Sequence, residues 1–176
     1  MAVPSTAGTC CWTQAEDKLA DVLADCASVQ TFLGEANKAA VLAGNLFIDT
    51  VGRVPEEYAG PAWQALFPQI IVGTPGDNAG GLIASRFATT SATTTGSLEI
   101  QINKLITAEY DPEEIRVYKN SVGAIIEELI TKWDMDIQAI QLDSYGSNAE
   151  QQHSGMGVIY GASFTVSWGT QQESGE

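Results

Sequence analysis

The chain has 176 residues, of which 44% are hydrophobic, and this length favours a single domain with a buried core. Its 22 acidic and 8 basic residues give a formal net charge of −14. The acids are spread along the chain, which argues against a surface that grips a nucleic-acid backbone. Residues 1–10 lack the features of a secretory signal and no apolar run could span a bilayer, so we expect a soluble protein inside the cell.

A first helix is predicted from residue 13, after a small and polar extension at residues 1–12. Thr13 and Glu16 have the spacing of a capping box, and Gly34 is suited to a left-handed C-cap. Between them, apolar residues recur at helical spacing and predict one buried face: Leu19, Val22, Leu23, Cys26 and Val29. Cys26 is therefore expected to be a small buried side chain.

The middle of the chain is predicted to contain strands. Residues 35–66 leave two interpretations open, because "NKAAVLAGNLFIDTV" fits either a second helix or a helix followed by a strand; the rest is a connector with short helical turns. "FPQIIVGT" and "GLIASRFATT" are predicted strands, and the turn residues of "TPGDNAGG" predict a hairpin-like loop between them. The polar "TTSATTTG" is predicted as a second loop, leading into the alternating strand "SLEIQINKLI".

The second long helix has the clearest start signal. Asp111 is suited to the N-cap, Pro112 to the first helical position, and Glu113 and Glu114 to the positive end of the helix dipole. A continuous apolar stripe follows: Ile115, Tyr118, Val122, Ile125, Ile126, Leu129, Ile130 and Trp133. The pair Glu127–Glu128 lies off this stripe and is interpreted as a solvated face.

The closing strand, "IYGASFTVSWG" at residues 159–169, alternates with period two. One side carries Tyr160, Ala162, Phe164, Val166 and Trp168, and the other carries Ile159, Ser163, Thr165 and Ser167. The element order predicts an α+β fold, with a mainly antiparallel or mixed sheet of about four to five strands and two main helices packed on one face. Residues 13–169 form the domain, and residues 170–176 are a flexible acidic tail.

No catalytic or metal constellation is predicted. His153 is the only histidine and lies in a Ser/Gly/Gln-rich loop. The chain has no G-x-S-x-G nucleophile elbow with which this histidine could form a catalytic triad. The cysteines Cys10, Cys11 and Cys26 lack the spacing of a zinc site, and the glycines near residue 76 lack the Lys-Ser/Thr of a phosphate-binding loop. We therefore expect a protein that is not an enzyme and has no cofactor.

The order of these pieces resembles the tail-completion proteins of long-tailed bacteriophages. "LADVLADCASVQTFLG", "FPQIIVG" and "GSLEIQI" precede a long amphipathic helix and a closing aromatic strand, and the first helix ends in Phe32 and Gly34 as in those families. The resemblance is greatest to the tail terminators, with small neck proteins as near relatives. It covers roughly residues 13–34 and 66–169, whereas residues 1–12 and 35–65 go beyond the compact pattern of the family.

The resemblance implies a virion structural protein that forms a homohexameric ring. Such a ring caps the tail tube, stops its polymerisation and provides the head–neck attachment surface. The partners would be other copies of the chain, the tail tube protein and a neck or head-connector protein, with DNA passing through an acidic lumen without specific binding and no membrane. The expected location is the tail–neck region of the virion, after assembly in the host cytoplasm.

Two sets of candidate contact residues follow from this reading. The candidate subunit-interface strand presents Ile159, Ser163, Thr165 and Ser167. The candidate partner-contact loops present Gly76, Asp77, Asn78, Thr93, Thr94, Asn148, Gln151 and His153. Two alternatives remain open: a neck or head-completion adaptor, and, from a different class, a small-molecule-binding α+β domain.

Overall fold

The protein is described by a computed structural model that covers residues 12–48, 63–73, 83–88, 91–106, 111–132, 136–147 and 158–173. The described α-helices are α1 (Trp12–Ala24), α2 (Ala27–Leu33), α3 (Lys38–Ala43) and α4 (Pro112–Lys132), and Trp63–Leu66 forms a short 3-10 helix in the predicted connector. The strands are β1 (Leu46–Ile48), β2 (Gln69–Gly73), β3 (Ile83–Ala88), β4 (Ser91–Ile106), β5 (Asp136–Ser147) and β6 (Val158–Glu173). None of these helices is long and apolar enough to cross a membrane.

The six strands form one mixed sheet in the order β1-β2-β4-β6-β5, with β3 also paired to β4. Only β1 and β2 are parallel, and the other pairs are antiparallel. Since β6 occupies one edge of β4 along its whole length, β2 and β3 lie end to end along the other edge. The predicted α+β class is confirmed, with six strands and four α-helices instead of about four to five strands and two main helices.

The core lies between the helices and one face of the sheet. Alternate residues of β4 and β6 pair across this face, for example Leu98 with Val166 and Ile100 with Phe164. They pack with Leu19 and other apolar residues of the helices in a single buried cluster. Burying this apolar area from water is the main stabilising term of such a fold.

The predicted first helix is in fact two helices, α1 and α2, with a break at residues 25–26. The apolar spacing runs through the break unchanged, and Leu23, Cys26 and Val29 are all fully buried. The C-cap prediction is confirmed, because Gly34 has φ 73° and closes α2. The prediction of Thr13 as N-cap is wrong, because α1 already includes Trp12.

Helix α4 matches its prediction at the start and departs from it near the end. The Asp111 carboxylate accepts a hydrogen bond from the Glu113 amide (2.9 Å), as an N-cap does. Of the predicted stripe, Tyr118, Val122, Ile125 and Leu129 are buried, whereas Ile130 is exposed. Trp133 lies outside the described residues.

Three predictions about strands need correction. The β2–β3 pair is not a hairpin, because both strands pair with β4; the segment "TPGDNAGG" itself lies outside the described residues. Residues 91–96 of "TTSATTTG" are not a loop, since β4 begins at Ser91; its first two residues lie outside the described residues. The predicted flexible tail begins too early, since β6 continues to Glu173. Of the two interpretations of the middle segment, helix followed by strand is confirmed by α3 and β1.

Candidate subunit interface

The closing strand β6 lies in the interior of the sheet, between β4 and β5. Its Tyr160, Ala162, Phe164 and Val166 are buried on the helix side, as the alternation predicted. On the opposite side Ser163, Thr165 and Ser167 are half-buried. Ile159 is only 5% exposed, which leaves little of its side chain for a neighbouring copy, and its assignment as an interface residue stays a prediction.

The side of the sheet that faces away from the helices carries a hydrogen-bonded polar network. The Ser163 hydroxyl donates to Glu99 Oε1 (2.6 Å), and the Gln101 amide nitrogen donates to the same oxygen (2.9 Å). One strand further out, the Thr165 hydroxyl donates to the Asp143 carboxylate. Hydrogen bonds to charged acceptors are stronger than neutral ones, so this network fixes the side chains of three strands.

This polar face, defined by Glu99, Gln101, Asp143, Ser163 and Thr165, is acidic. Its two carboxylates accept from neutral hydroxyl and amide groups, and none of the ion pairs among the described residues includes either of them. The arrangement resists contact with phosphate groups. Sequence alternation identified the strand, but the register that brings Glu99 beside Ser163 depends on pairing over 64 residues.

The sheet has open edges on both sides within the described part of the chain. β5 pairs only with β6, and at the other side β1 pairs only with β2 and β3 only with β4. β4 and β6 pair with each other along sixteen residues each, and residues 170–173 of β6 extend past Gly169, the last residue that pairs with β5. Unpaired edges and projecting strands are the parts of a sheet to which another chain can add.

The structure describes two of the eight candidate partner-contact residues, Thr93 and Thr94. Thr93 and Thr94 lie in β4, paired on one side with β3 and on the other with β6, so they are strand residues. Gly76, Asp77, Asn78, Asn148, Gln151 and His153 lie outside the described residues. Cys10 and Cys11 lie outside them too, and among the described side chains no three metal-ligating groups come together.

Sequence reasoning missed a charged junction that joins α4 to α2. Glu128 accepts hydrogen bonds from the amides of Ala27 and Ser28 (both 2.9 Å) and from the Ser28 hydroxyl (2.6 Å). Lys132 completes the junction by pairing with Glu128 at 3.2 Å and with Asp25 at 3.4 Å. The interpretation of Glu128 as a solvated residue is therefore wrong, because its carboxylate caps the start of α2 from another helix.

This junction shifts the pKa values of its members. Partial desolvation opposes ionisation of Glu128, but the hydrogen bonds from Ser28 and Ala27 outweigh it and lower the pKa to about 2. Cys26 lies at the break between the two helices, and its thiol donates to the Val22 carbonyl. The pKa of Cys26 is raised to about 11, mainly by burial and secondly by the negative charge of Glu128. The thiol is thus buried, as its place on the apolar face predicted, and its raised pKa disfavours the thiolate form that reacts.

A tyrosine cluster lies at the opposite end of α4. Tyr118 is fully buried and donates its hydroxyl to the Ile102 carbonyl (2.7 Å). The pKa of Tyr118 is raised, mainly by burial and secondly by the neighbouring Tyr145. The rings of Tyr118, Tyr145 and Tyr160 lie within 6.2 to 6.3 Å of one another, which ties α4 to β5 and β6.

Comparison of the chain with protein-family models and with curated protein sequences found no match.

Proposed function

We propose that the protein is a virion structural protein of the tail-terminator type, which assembles with copies of itself into a closed ring. In this role the ring caps the tail tube, stops its growth and offers a surface to the neck or head connector. The proposal begins from the resemblance of the element order to tail-completion proteins. Its location would be the tail–neck region of the virion, after assembly in the host cytoplasm.

The observation that carries the proposal is a sheet with two unlike edges that have no partner strand among the described residues, β5 at one side and β1 and β3 at the other. A contact between unlike surfaces repeats from copy to copy and closes into a ring when the rotation allows it. On the β5 side, residues 170–173 of β6 extend past the end of β5 and add further strand edge without a partner among the described residues. These features support self-assembly by sheet edges over a monomeric binding module.

The acidic character of the chain supports the second part of the role. A ring through which DNA moves must not hold the phosphates, and a net charge of −14 per copy repels them. The polar face, with Glu99 and Asp143 held by neutral donors, is of the same sign. DNA would therefore pass such a ring without specific binding.

The test is the solution mass of the purified full chain by light scattering, with electron micrographs of the same fraction. Six copies of 18.7 kDa give about 112 kDa, and ring-shaped particles of that mass are the expected result. A protein that stays monomeric at every concentration would contradict self-assembly. Capped tube ends on addition of the ring to tail tubes would then separate a terminator from a neck adaptor.

A further inference from the structure

A surface with exposed apolar side chains lies between α4 and the edge strand β5, which meet where Lys119 lies over the Tyr145 ring. On its α4 side lie Lys119, Gly123 and Ile130, and on its β5 side lie Ile140, Leu142 and Tyr145. Lys119, Gly123 and Ile130 share one flank of the helix, because residues four and seven apart lie on the same side. The Lys119 ammonium lies 4.8 Å from the Tyr145 ring centroid, so this flank is the one that faces β5. We call this surface the α4–β5 groove.

The α4–β5 groove leaves large apolar side chains open to solvent. Leu142 is 54% exposed and Tyr145 is 41% exposed, although both lie on the helix side of the sheet, opposite the buried Phe164 and Ala162. Ile130 is 57% exposed. A Cβ atom added at Gly123 would meet no atom within 4 Å, so there is open space beside the helix at that position. Exposed apolar residues that form a continuous patch are typical of a contact surface.

The cations at the Lys119 end of the groove point to an acidic occupant at that end, whereas Glu127, four residues after Gly123, places a carboxylate nearer Ile130. Arg116 and Lys119 lie one helical turn apart at one end of the groove, and neither forms an ion pair with a carboxylate of the described residues. Two neighbouring cations outside any described ion pair are unusual in a chain that has 22 acidic and only 8 basic residues. Another copy of the same acidic chain complements these two cations, which would orient it on approach.

The neighbouring strand edge points in the same direction. The outer edge of β5 has no partner within the described part of the chain, so its backbone groups adjoin the exposed Leu142 and Tyr145. We propose that the α4–β5 groove, together with this edge, is where a second copy of the chain docks. The inference rests on the proposed ring, and it names the surface that joins one copy to the next. Because the opposite sheet edge is formed by β1 and β3, the contact would be between unlike surfaces, as a ring requires.

The test compares variants of the full chain by sedimentation velocity over a range of concentrations. Leu142→Glu places a carboxylate in the groove, and Gly123→Gln fills the open space while favouring the helix. Each is expected to raise the concentration at which the assembly dissociates by about a hundredfold or more, since each excludes a buried apolar contact. Circular dichroism and thermal unfolding of each variant establish that the chain is folded.

The matched control is Val117→Glu. Val117 is 48% exposed and lies on the other flank of α4, away from β5, so its substitution is expected to leave assembly within about twofold of the wild type. If the folded variants Leu142→Glu and Gly123→Gln form the ring as the wild type does, docking at the α4–β5 groove is contradicted and the proposed ring is not. A dimer that depends on Leu142 would support the groove and contradict the ring. A wild type that remains monomeric would overturn both.

Discussion

Glu128 shows how a single carboxylate can determine where a helix breaks. It bonds to the amide of Ala27, 101 residues earlier, and to Ser28. The first-turn amides of α2 have no partner within their own helix, and Glu128 supplies one from α4. This is why the apolar spacing of residues 19–29 could not reveal the break: the cause lies on another element.

Removing this charge is expected to destabilise the fold. In Glu128→Gln the amide cannot pair with Lys132 and accepts more weakly from Ser28, so we expect a loss of about 1–2 kcal/mol in the free energy of unfolding. Urea denaturation at pH 7 measures the difference. Glu127→Gln is the control, because Glu127 is the exposed neighbour, and its free energy of unfolding should lie within about 0.5 kcal/mol of the wild type. Equal losses in the two variants would contradict the capping role.

The same carboxylate predicts how stability depends on pH. The pKa of Glu128 falls from its ordinary value of 4.5 to about 2 in the folded chain. A lowered folded-state pKa stabilises the protein fully above pH 4.5, and the stabilisation is lost as the pH falls from there towards 2. The stability difference between wild type and Glu128→Gln should therefore be constant between pH 6 and 8 and shrink in this acid window. A difference that does not change down to pH 2.5 would contradict the assigned pKa.

Cys26 gives a third prediction at this scale. With its pKa raised to about 11 and no exposure to solvent, the thiol should not react with a thiol-specific reagent at pH 8 while the chain is folded. The measurement uses a Cys10→Ser/Cys11→Ser variant, in which Cys26 is the remaining cysteine. Labelling in 8 M urea is the positive control. Labelling of the native protein as fast as in urea would show that the α1–α2 junction opens readily.

At the scale of elements, sequence reasoning succeeded where periodicity and caps agree. The Asp111–Pro112 start of α4 and the alternation of β6 are both present, because each signal is local. It failed for residues 91–96, where a run of threonines and a glycine has no apolar alternation. That segment is a strand because β3 and β6 pair with it from both sides, and no local pattern encodes a partner that is about 75 residues away.

Two glycines in helical segments are predicted to respond in opposite directions to the same substitution. Gly123 has open space around its Cβ position inside α4, so Gly123→Ala should gain about 0.5–1 kcal/mol through helix propensity. Gly34 has φ 73°, where a Cβ is strained, so Gly34→Ala should lose about 1 kcal/mol. Chemical denaturation of both variants checks the pair. Two changes of the same sign would contradict either the open space at Gly123 or the left-handed cap at Gly34.

At the scale of the whole molecule, two electrostatic effects of different range compete during self-association. Each copy carries a net charge of −14, so copies repel one another over a distance set by the salt concentration. Arg116 and Lys119 at the α4–β5 groove attract an acidic neighbour, but they act only at close approach. Two cations per copy are few against this surplus of acids, so repulsion should dominate the affinity while the cations select the orientation.

Assembly should therefore strengthen as salt is added. The screening length falls from about 30 Å at 0.01 M to about 8 Å at 0.15 M, which removes the long-range repulsion and leaves most of the apolar contact of the groove intact. We expect the concentration at which the assembly dissociates to fall over this range in sedimentation experiments at pH 7. Lys119→Gln, which keeps a long helix-forming side chain, should weaken assembly at both salt concentrations and leave the direction of the salt effect unchanged. Assembly that weakens with salt would mean that ion pairs, and not the apolar groove, hold the copies together.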